Sequence, residues 1–212
     1  MENPRILRRY TDITSVIDIL VNKKLTLVNP QFWDDKNDSY FMSIYKEYKS
    51  LESLSALCFT SAAETYHHWK IFSGNNNGAC VVFNTDSLLN KTSNITGIKA
   101  DFIKYKTLRD FDSETLLPID SIPFVKRYAF RDEKEFRIIY ESKTVITPTF
   151  DLSIDITDID RVFLSPWLHP SLVSGIKGLL KSISGCSKLK ITRSTVVGNE
   201  NWKKYALKAK ND

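Results

Sequence analysis

The chain has 212 residues, of which 42% are apolar and 26% charged, a globular composition that excludes a disordered chain. One hydrophobic core serves a chain of this length, so a single domain over residues 1–212 is expected, with 203–212 as a frayed basic tail. The net charge of +5 permits a polyanionic partner without demanding one, and no run approaches the ~18 consecutive apolar residues of a membrane span.

In chain order, Arg8-Arg9-Tyr10-Thr11 reads as the entry to a helix over 13–21, with Thr11 or Asp12 as N-cap and Ile13, Val16, Ile17 and Leu20 on one face. Leu25 to Val28 is a strand closed by Asn29-Pro30, and residues 39–50 form a second amphipathic helix through Phe41, Ile44, Tyr45 and Tyr48. Leu57 to Thr60 is a short strand. Glu64 to Phe72 is helical and ends at Gly74, and the Asn75-Asn76-Asn77-Gly78 turn leads into a strand from Ala79 to Phe83. Strands follow around 98–103, 136–140 and 162–164, then a helix over 171–183 and a last strand from Leu189 to Thr192. Helices and strands mixed without strict βαβ alternation predict an α+β fold with mixed, largely antiparallel sheets flanked by helices. Cys58, Cys80 and Cys186 are scattered, which gives neither a disulfide framework nor a zinc spacing. The start, MENPRILRRY, has no apolar run of a signal peptide, so a cytoplasmic protein is expected.

Four stretches concentrate polar and aromatic groups where elements begin or end. Arg8-Arg9 places two guanidinium groups at a predicted helix start, where free N–H groups favour anions. Phe32-Trp33-Asp34-Asp35-Lys36-Asn37-Asp38 puts three acids around a Trp, as a metal or hydroxyl site or as a helix cap. Cys58-Phe59-Thr60-Ser61 precedes Glu64-Thr65-Tyr66-His67-His68-Trp69. Adjacent histidines diverge by ~100° on a helix and make a poor zinc pair, whereas a strand-end hydroxyl and a Trp suit an aromatic, hydroxyl-rich ligand such as a nucleotide. In the segment from Lys126 to Tyr140, an extended backbone would place Glu133, Glu135 and Arg137 on one face. The two carboxylates would then lie about 7 Å apart along the strand. That arrangement suits an acid/base group, and a solvated face of alternating charge would look the same.

Taken in order, the L-x-L-x-x-P step with its W-D-D-x-x-D box, C-F-T, H-H-W, the step from Gly78 to Phe83 and F-x-x-E-x-E-F-R resemble the bacterial domain-of-unknown-function family 2971. The late strand–helix–strand with Ser194 and Trp202 matches the usual ending of that family. Its signature falls on Tyr10, Trp33, Asp35, Asp38, Cys58, Trp69, Gly78, Glu133, Glu135 and Arg137, with His68 inside the H-H-W motif. Phe130 stands where a Trp is common and Lys36 where a Pro is common.

The layout is also similar to that of ADP-ribosyltransferases, and the resemblance implies an ADP-ribosyltransferase-like fold and NAD as substrate, with no metal. Arg9 would then meet the pyrophosphate, Thr60 the ribose or carboxamide, and Trp69 or Tyr10 would stack a ring. Glu135 would stabilise the oxocarbenium-like centre, and Glu133 would orient the acceptor or act as base. Such proteins can be toxins or antiphage effectors, with nucleic acid or protein as acceptor. Two alternatives stay open: a non-enzymatic nucleotide- or nucleic-acid-binding module, and a metal-dependent nuclease using Asp34, Asp35, Asp38, Glu133 and Glu135.

Overall fold

The computed structural model describes residues 4–113 and 117–208. The chain runs β1 (Ile6–Asp12), α1 (Ile13–Asn22), β2 (Lys24–Val28), α2 (Lys36–Tyr48), β3 (Ser53–Thr60), α3 (Tyr66–Phe72), β4 (Gly78–Asn84), α4 (Thr85–Thr92) and β5 (Ile98–Phe102). It continues with β6 (Lys104–Lys106), α5 (Leu108–Ser113), β7 (Val125–Arg127), β8 (Glu135–Ser142), β9 (Thr149–Ser153), β10 (Ile159–Leu164), α6 (Pro170–Ser182), β11 (Lys190–Arg193) and α7 (Glu200–Ala206).

Among the described residues, nine strands form one sheet in which every pairing but β10–β11 is antiparallel, so the fold is α+β as expected. The sheet has two wings. In one, β4 lies between β1 and β10, with β11 at the edge; in the other, β3 pairs β2 and β8, which carry β9 and β5 on their outer sides. The wings meet where β1 touches the end of β3, at the pair Arg8↔Thr60. Strands β6 and β7 form a separate parallel pair.

Strand alternation sorts the core into layers. Leu57 and Phe59 of β3, Ala79, Val81 and Phe83 of β4, and Phe136 and Ile138 of β8 share the main core with Val16 and Leu20 of α1, Leu88 of α4 and Leu180 of α6. The intervening residues point to the opposite face. There Tyr10, Cys80 and Val82 pack against Trp69 of α3, while Leu54, Ala56 and Ile139 pack against Met42 and Tyr45 of α2. Helices α3 and α2 therefore cover different wings of one face, and a gap between them stands over the junction of β1, β3 and β8. Gly78 lets α3 dock, because a Cβ there would collide with the Ser73 backbone carbonyl at the end of that helix.

Several expectations change. Residues 6–12 are a strand and not a helix approach, so Arg8 and Arg9 project from β1, and only Asp12 caps α1, accepting the Ser15 N–H at 2.7 Å. Glu133 lies outside β8. It closes a 3₁₀ turn over Tyr128–Glu133, and Lys134 (φ 43°) reverses the chain before the strand starts at Glu135. Part of the tail expected to fray forms α7, and residues 209–212 lie outside the described ones. Among the described residues no helix is long and apolar enough to cross a membrane.

Candidate active site

The gap between α2 and α3 is a cleft of about 490 Å³. Its floor carries Arg8, Arg9 and Tyr10 of β1, Cys58 and Thr60 of β3, and Glu135 of β8; its walls include Trp33, Asp35 and Asp38 on one side and His68 and Phe72 on the other. Lys126, Phe130 and Glu133 close one end. Of the residues singled out from the sequence, Arg9, Tyr10, Trp33, Asp35, Asp38, Thr60, His68, Glu133 and Glu135 all line this cleft. Arg137 and Trp69 are fully buried behind it.

A charge cluster organises the floor. Arg137 is 0% exposed, and its guanidinium is a fork: Nη1 and Nη2 donate to the two oxygens of Asp38 at 3.0 and 2.6 Å, and Nε donates to Glu135 Oε1 at 2.8 Å. Nη1 also reaches the Pro123 carbonyl at 2.8 Å, and the Trp33 ring lies 4.7 Å from the guanidinium carbon. Planar bidentate geometry and a stacking face are what Arg supplies and Lys does not. Lys126 Nζ contacts Glu133 Oε2 at 2.7 Å, Glu135 Oε2 at 3.1 Å and Asp38 Oδ2 at 3.6 Å, and it lies 4.8 Å from the centre of the Phe130 ring.

These contacts push the two glutamates in opposite directions. Burial alone would raise the Glu135 carboxyl, but Arg137 and Lys126 outweigh it and hold it at about 2, helped by the Cys58 thiol that hydrogen-bonds to it. Glu133 is raised, because burial and the Glu135 charge together exceed the pull of Lys126. Asp38 is also raised by burial, against Arg137. Burial works against the Lys126 ammonium too, yet Glu135, Glu133 and Asp38 hold it well above its ordinary value. Glu135 is thus held as an anion, and Glu133 takes up a proton at higher pH.

The acids of the Trp33–Asp38 box divide between two tasks. Asp35 caps α2, accepting the N–H groups of Asn37 and Asp38 at 3.0 and 3.3 Å. Asp38 ties that helix to β8 through Arg137. Among the described residues no group of three or more His, Cys, Asp and Glu is placed to hold a metal ion.

The other candidates hold one another in place. The Thr60 hydroxyl donates to the Glu133 carbonyl and accepts the Ala62 N–H at 2.9 Å, which pins the turn carrying Glu133 to the end of β3. Arg8 and Arg9 donate to the Ala62 and Cys58 carbonyls at 2.7 and 3.1 Å. Tyr10 stacks on His68 with ring centres 5.6 Å apart and meets Trp69 edge-on at 5.2 Å. Trp69 is 0% exposed and donates Nε1–H to Glu64 at 2.7 Å; with no face on the cleft, it supports Tyr10 from behind, and Tyr10 and Phe72 offer the aromatic surface. His68 is lowered by burial and stays neutral near pH 7.

Lys126 opens the fourth stretch but has no role assigned to it from sequence. It lies within the acidic and basic run that ends at Tyr140, but the intervening 3₁₀ turn breaks any fixed spacing between it and the glutamates. Tyr105 was also missed; its hydroxyl accepts the Glu135 N–H at 2.8 Å, fixing the first residue of β8.

Among curated proteins, no relative matches the chain. Three solved structures of DarT from Thermus sp. 2.9 are similar to it. The complex with carba-NAD+ has a TM-score of 0.44 at 10% identity, covering 92% of this chain and 97% of that one. The complex with ADP-ribosylated ssDNA has a TM-score of 0.45 at 10% identity, covering 90% and 94%. The complex with NAD+ has a TM-score of 0.44 at 10% identity, covering 91% and 96%. Residues 68–138, which run from α3 to β8 and include His68, Trp69, Gly78, Glu133, Glu135 and Arg137, match the model of the family described as "Protein of unknown function (DUF2971)".

Proposed function

We propose that the cleft binds NAD and that the chain is an ADP-ribosyltransferase-like enzyme. The observation that carries this reading is a pair of unlike glutamates in one cleft: Glu135 in the floor, bonded to both Arg137 and Lys126, and Glu133 at one end, bonded to Lys126. Environments that drive two carboxyls apart are how one site assigns a fixed charge and a proton carrier.

Charge supports the same conclusion. Asp38, Glu133 and Glu135 face Lys126 and Arg137, so the ionised cluster retains one net negative charge, the complement of a nicotinamide ring that carries one positive charge. In the reaction, the bond between ribose C1′ and the nicotinamide nitrogen breaks, and the electron pair leaves with nicotinamide as a neutral ring. An oxygen or nitrogen of the acceptor, nucleic acid or protein or water, then bonds to C1′ and yields its proton to Glu133. Glu135 holds the ribose 2′-hydroxyl and stabilises the positive charge that develops at C1′. Arg8 and Arg9, on the strand across the cleft floor, receive the pyrophosphate. Tyr10 and Phe72 pack against a ring, and the volume is that of a small-molecule site.

A magnesium-dependent nuclease is less well supported. Its carboxylates would have to release Lys126 and Arg137 to take a divalent ion, and Asp35 would have to leave the start of α2.

The test is incubation with NAD labelled in the adenylate, with and without cell lysate, following free nicotinamide and labelled product. Wild type is expected to release nicotinamide, and Glu135→Gln to lose roughly 10²–10³ in kcat. Tight NAD binding with no nicotinamide released under any acceptor condition would instead make the chain a nucleotide-binding module.

A further inference from the structure

We propose that Lys126 is a positioning residue that keeps the Glu133 carboxylate presented to the cleft as a base, next to a second carboxylate that holds its charge without it. The kinetic half of this inference rests on the proposed transferase activity; the electrostatic half does not.

The two glutamates have unequal partners. Glu135 Oε1 lies 2.8 Å from both Nε and Nη2 of Arg137, so it keeps a cationic partner, shared with Asp38, even when Lys126 is removed. Among the described residues, the cation on Glu133 is Lys126, at 2.7 Å. Without it, Glu133 would be a partly buried anion beside Glu135, with a third carboxylate, Asp38, on the same lysine. Like charges so close together force one group to keep its proton, and Glu133 is the one with no second cation.

The surroundings supply no substitute. From α2 the cluster meets Asp38, and from β8 it meets Arg137, already committed to Asp38 and Glu135. From β3 comes the Cys58 thiol, raised by burial, and from β6 the Tyr105 hydroxyl, which accepts the Glu135 N–H and carries no positive charge. From β1, the Arg8 and Arg9 guanidinium groups donate to the Ala62 and Cys58 carbonyls and, among the described residues, make no ion pair with Glu133, and from α3 the nearby His68 is neutral. Lys126 is itself fixed: its side chain is 10% exposed, its strand β7 is paired with β6, and the ammonium rests near the Phe130 ring. A lysine tethered this way sets both the ionisation and the direction of the Glu133 carboxylate. A solvated lysine would do neither.

The measurement is a carboxyl titration by NMR of the full chain carrying ¹³C-labelled glutamate, in wild type, Lys126→Met and Lys126→Arg. In Lys126→Met the Glu133 midpoint is expected to rise by at least one pH unit while Glu135 moves much less, and Lys126→Arg is expected to restore most of the difference. In wild type, the Lys126 ¹⁵Nζ signal is expected to shift at the Glu133 midpoint, a readout that survives if the methionine variant fails to fold. In nicotinamide release, Lys126→Met is expected to lower kcat roughly 10–100-fold at pH 7 and to move the acid limb upward, with KM for NAD changed by less than about threefold. An unchanged Glu133 midpoint in folded Lys126→Met, equal shifts of both glutamates, or a wild-type Nζ signal blind to the Glu133 titration would each overturn the assignment. If wild type releases no nicotinamide, the catalytic reading fails, and the carboxyl titration still decides the role of Lys126.

Discussion

Replacing Arg137 with Met would remove the cation that joins α2 to β8 while keeping most of its apolar bulk. Arg137 is 0% exposed; its loss strips Asp38 of two hydrogen bonds at 3.0 and 2.6 Å, Glu135 of its contacts at 2.8 Å and the Pro123 carbonyl of its donor. Lys126 remains at 3.6 Å from Asp38, too far for a hydrogen bond and already shared with two glutamates. Breaking a buried ion pair from one side costs about 3–5 kcal/mol, because the stranded charge keeps its desolvation penalty. For a chain of this size that is roughly 6–20 °C in Tm.

Urea unfolding followed by tryptophan fluorescence reads the change directly, since Trp33 stacks on Arg137 and Trp69 lies in the core behind the cleft. The double variant Asp38→Leu with Arg137→Met is expected to recover at least about 1 kcal/mol of the loss, because Asp38 is no longer a stranded charge and Glu135 keeps Lys126 at 3.1 Å. A single variant within about 1 kcal/mol of wild type, or a double variant less stable than the single, would refute the claim that a buried charge holds α2 on β8.

Other outcomes follow from the same contacts. Glu135 sits at about 2 in the folded chain against an ordinary 4.5, so its stabilisation is complete above pH 4.5 and is lost as pH falls from 4.5 towards 2. The shift is worth roughly 3 kcal/mol. The raised Glu133 contributes with the opposite sign, its destabilisation growing as pH rises above 4.5, so the pH dependence of urea midpoints should be shallower in Glu135→Gln than in wild type between pH 2 and 4.5. Thr60→Val unties the Glu133 carbonyl and the Ala62 N–H, and should cost about 1–3 kcal/mol in stability together with a lower kcat, measured by urea unfolding and nicotinamide release. Glu64→Leu strands the Trp69 Nε1–H and the Ser194 hydroxyl that both donate to Glu64, and should cost about 1–3 kcal/mol in urea unfolding.

Most of the elements with a clear period were legible in the chain: α1, α2, α6, β4 and β8 begin and end near where their apolar residues recur. Short, half-exposed or locally ambiguous elements were not. Strand β1 carries Arg8 and Arg9 in its middle, so its pairing with β4 is invisible until Val81 and Val82 lie beside them. The pairs β6–β7 and β2–β9 join segments distant in sequence, and β9 has one fully buried apolar residue, Leu152, to announce it.

Local chemistry determined more of the site than of the topology. Residue types nominated the four polar stretches, because acids, aromatics and hydroxyls at element ends are where side chains escape the core, and the family resemblance singled out Tyr10 and His68 within them. Their roles were decided by contacts across the fold. Asp35 is a cap and Asp38 a counter-ion because Arg137, on a strand 99 residues away, reaches only the second. Glu133 and Glu135 differ because a left-handed turn at Lys134 sends one to Lys126 alone and the other to Lys126 and Arg137 together. A sequence specifies which groups are present and on which local face. The strength of a charge depends on what is buried beside it, and that neighbour is set by sheet pairing.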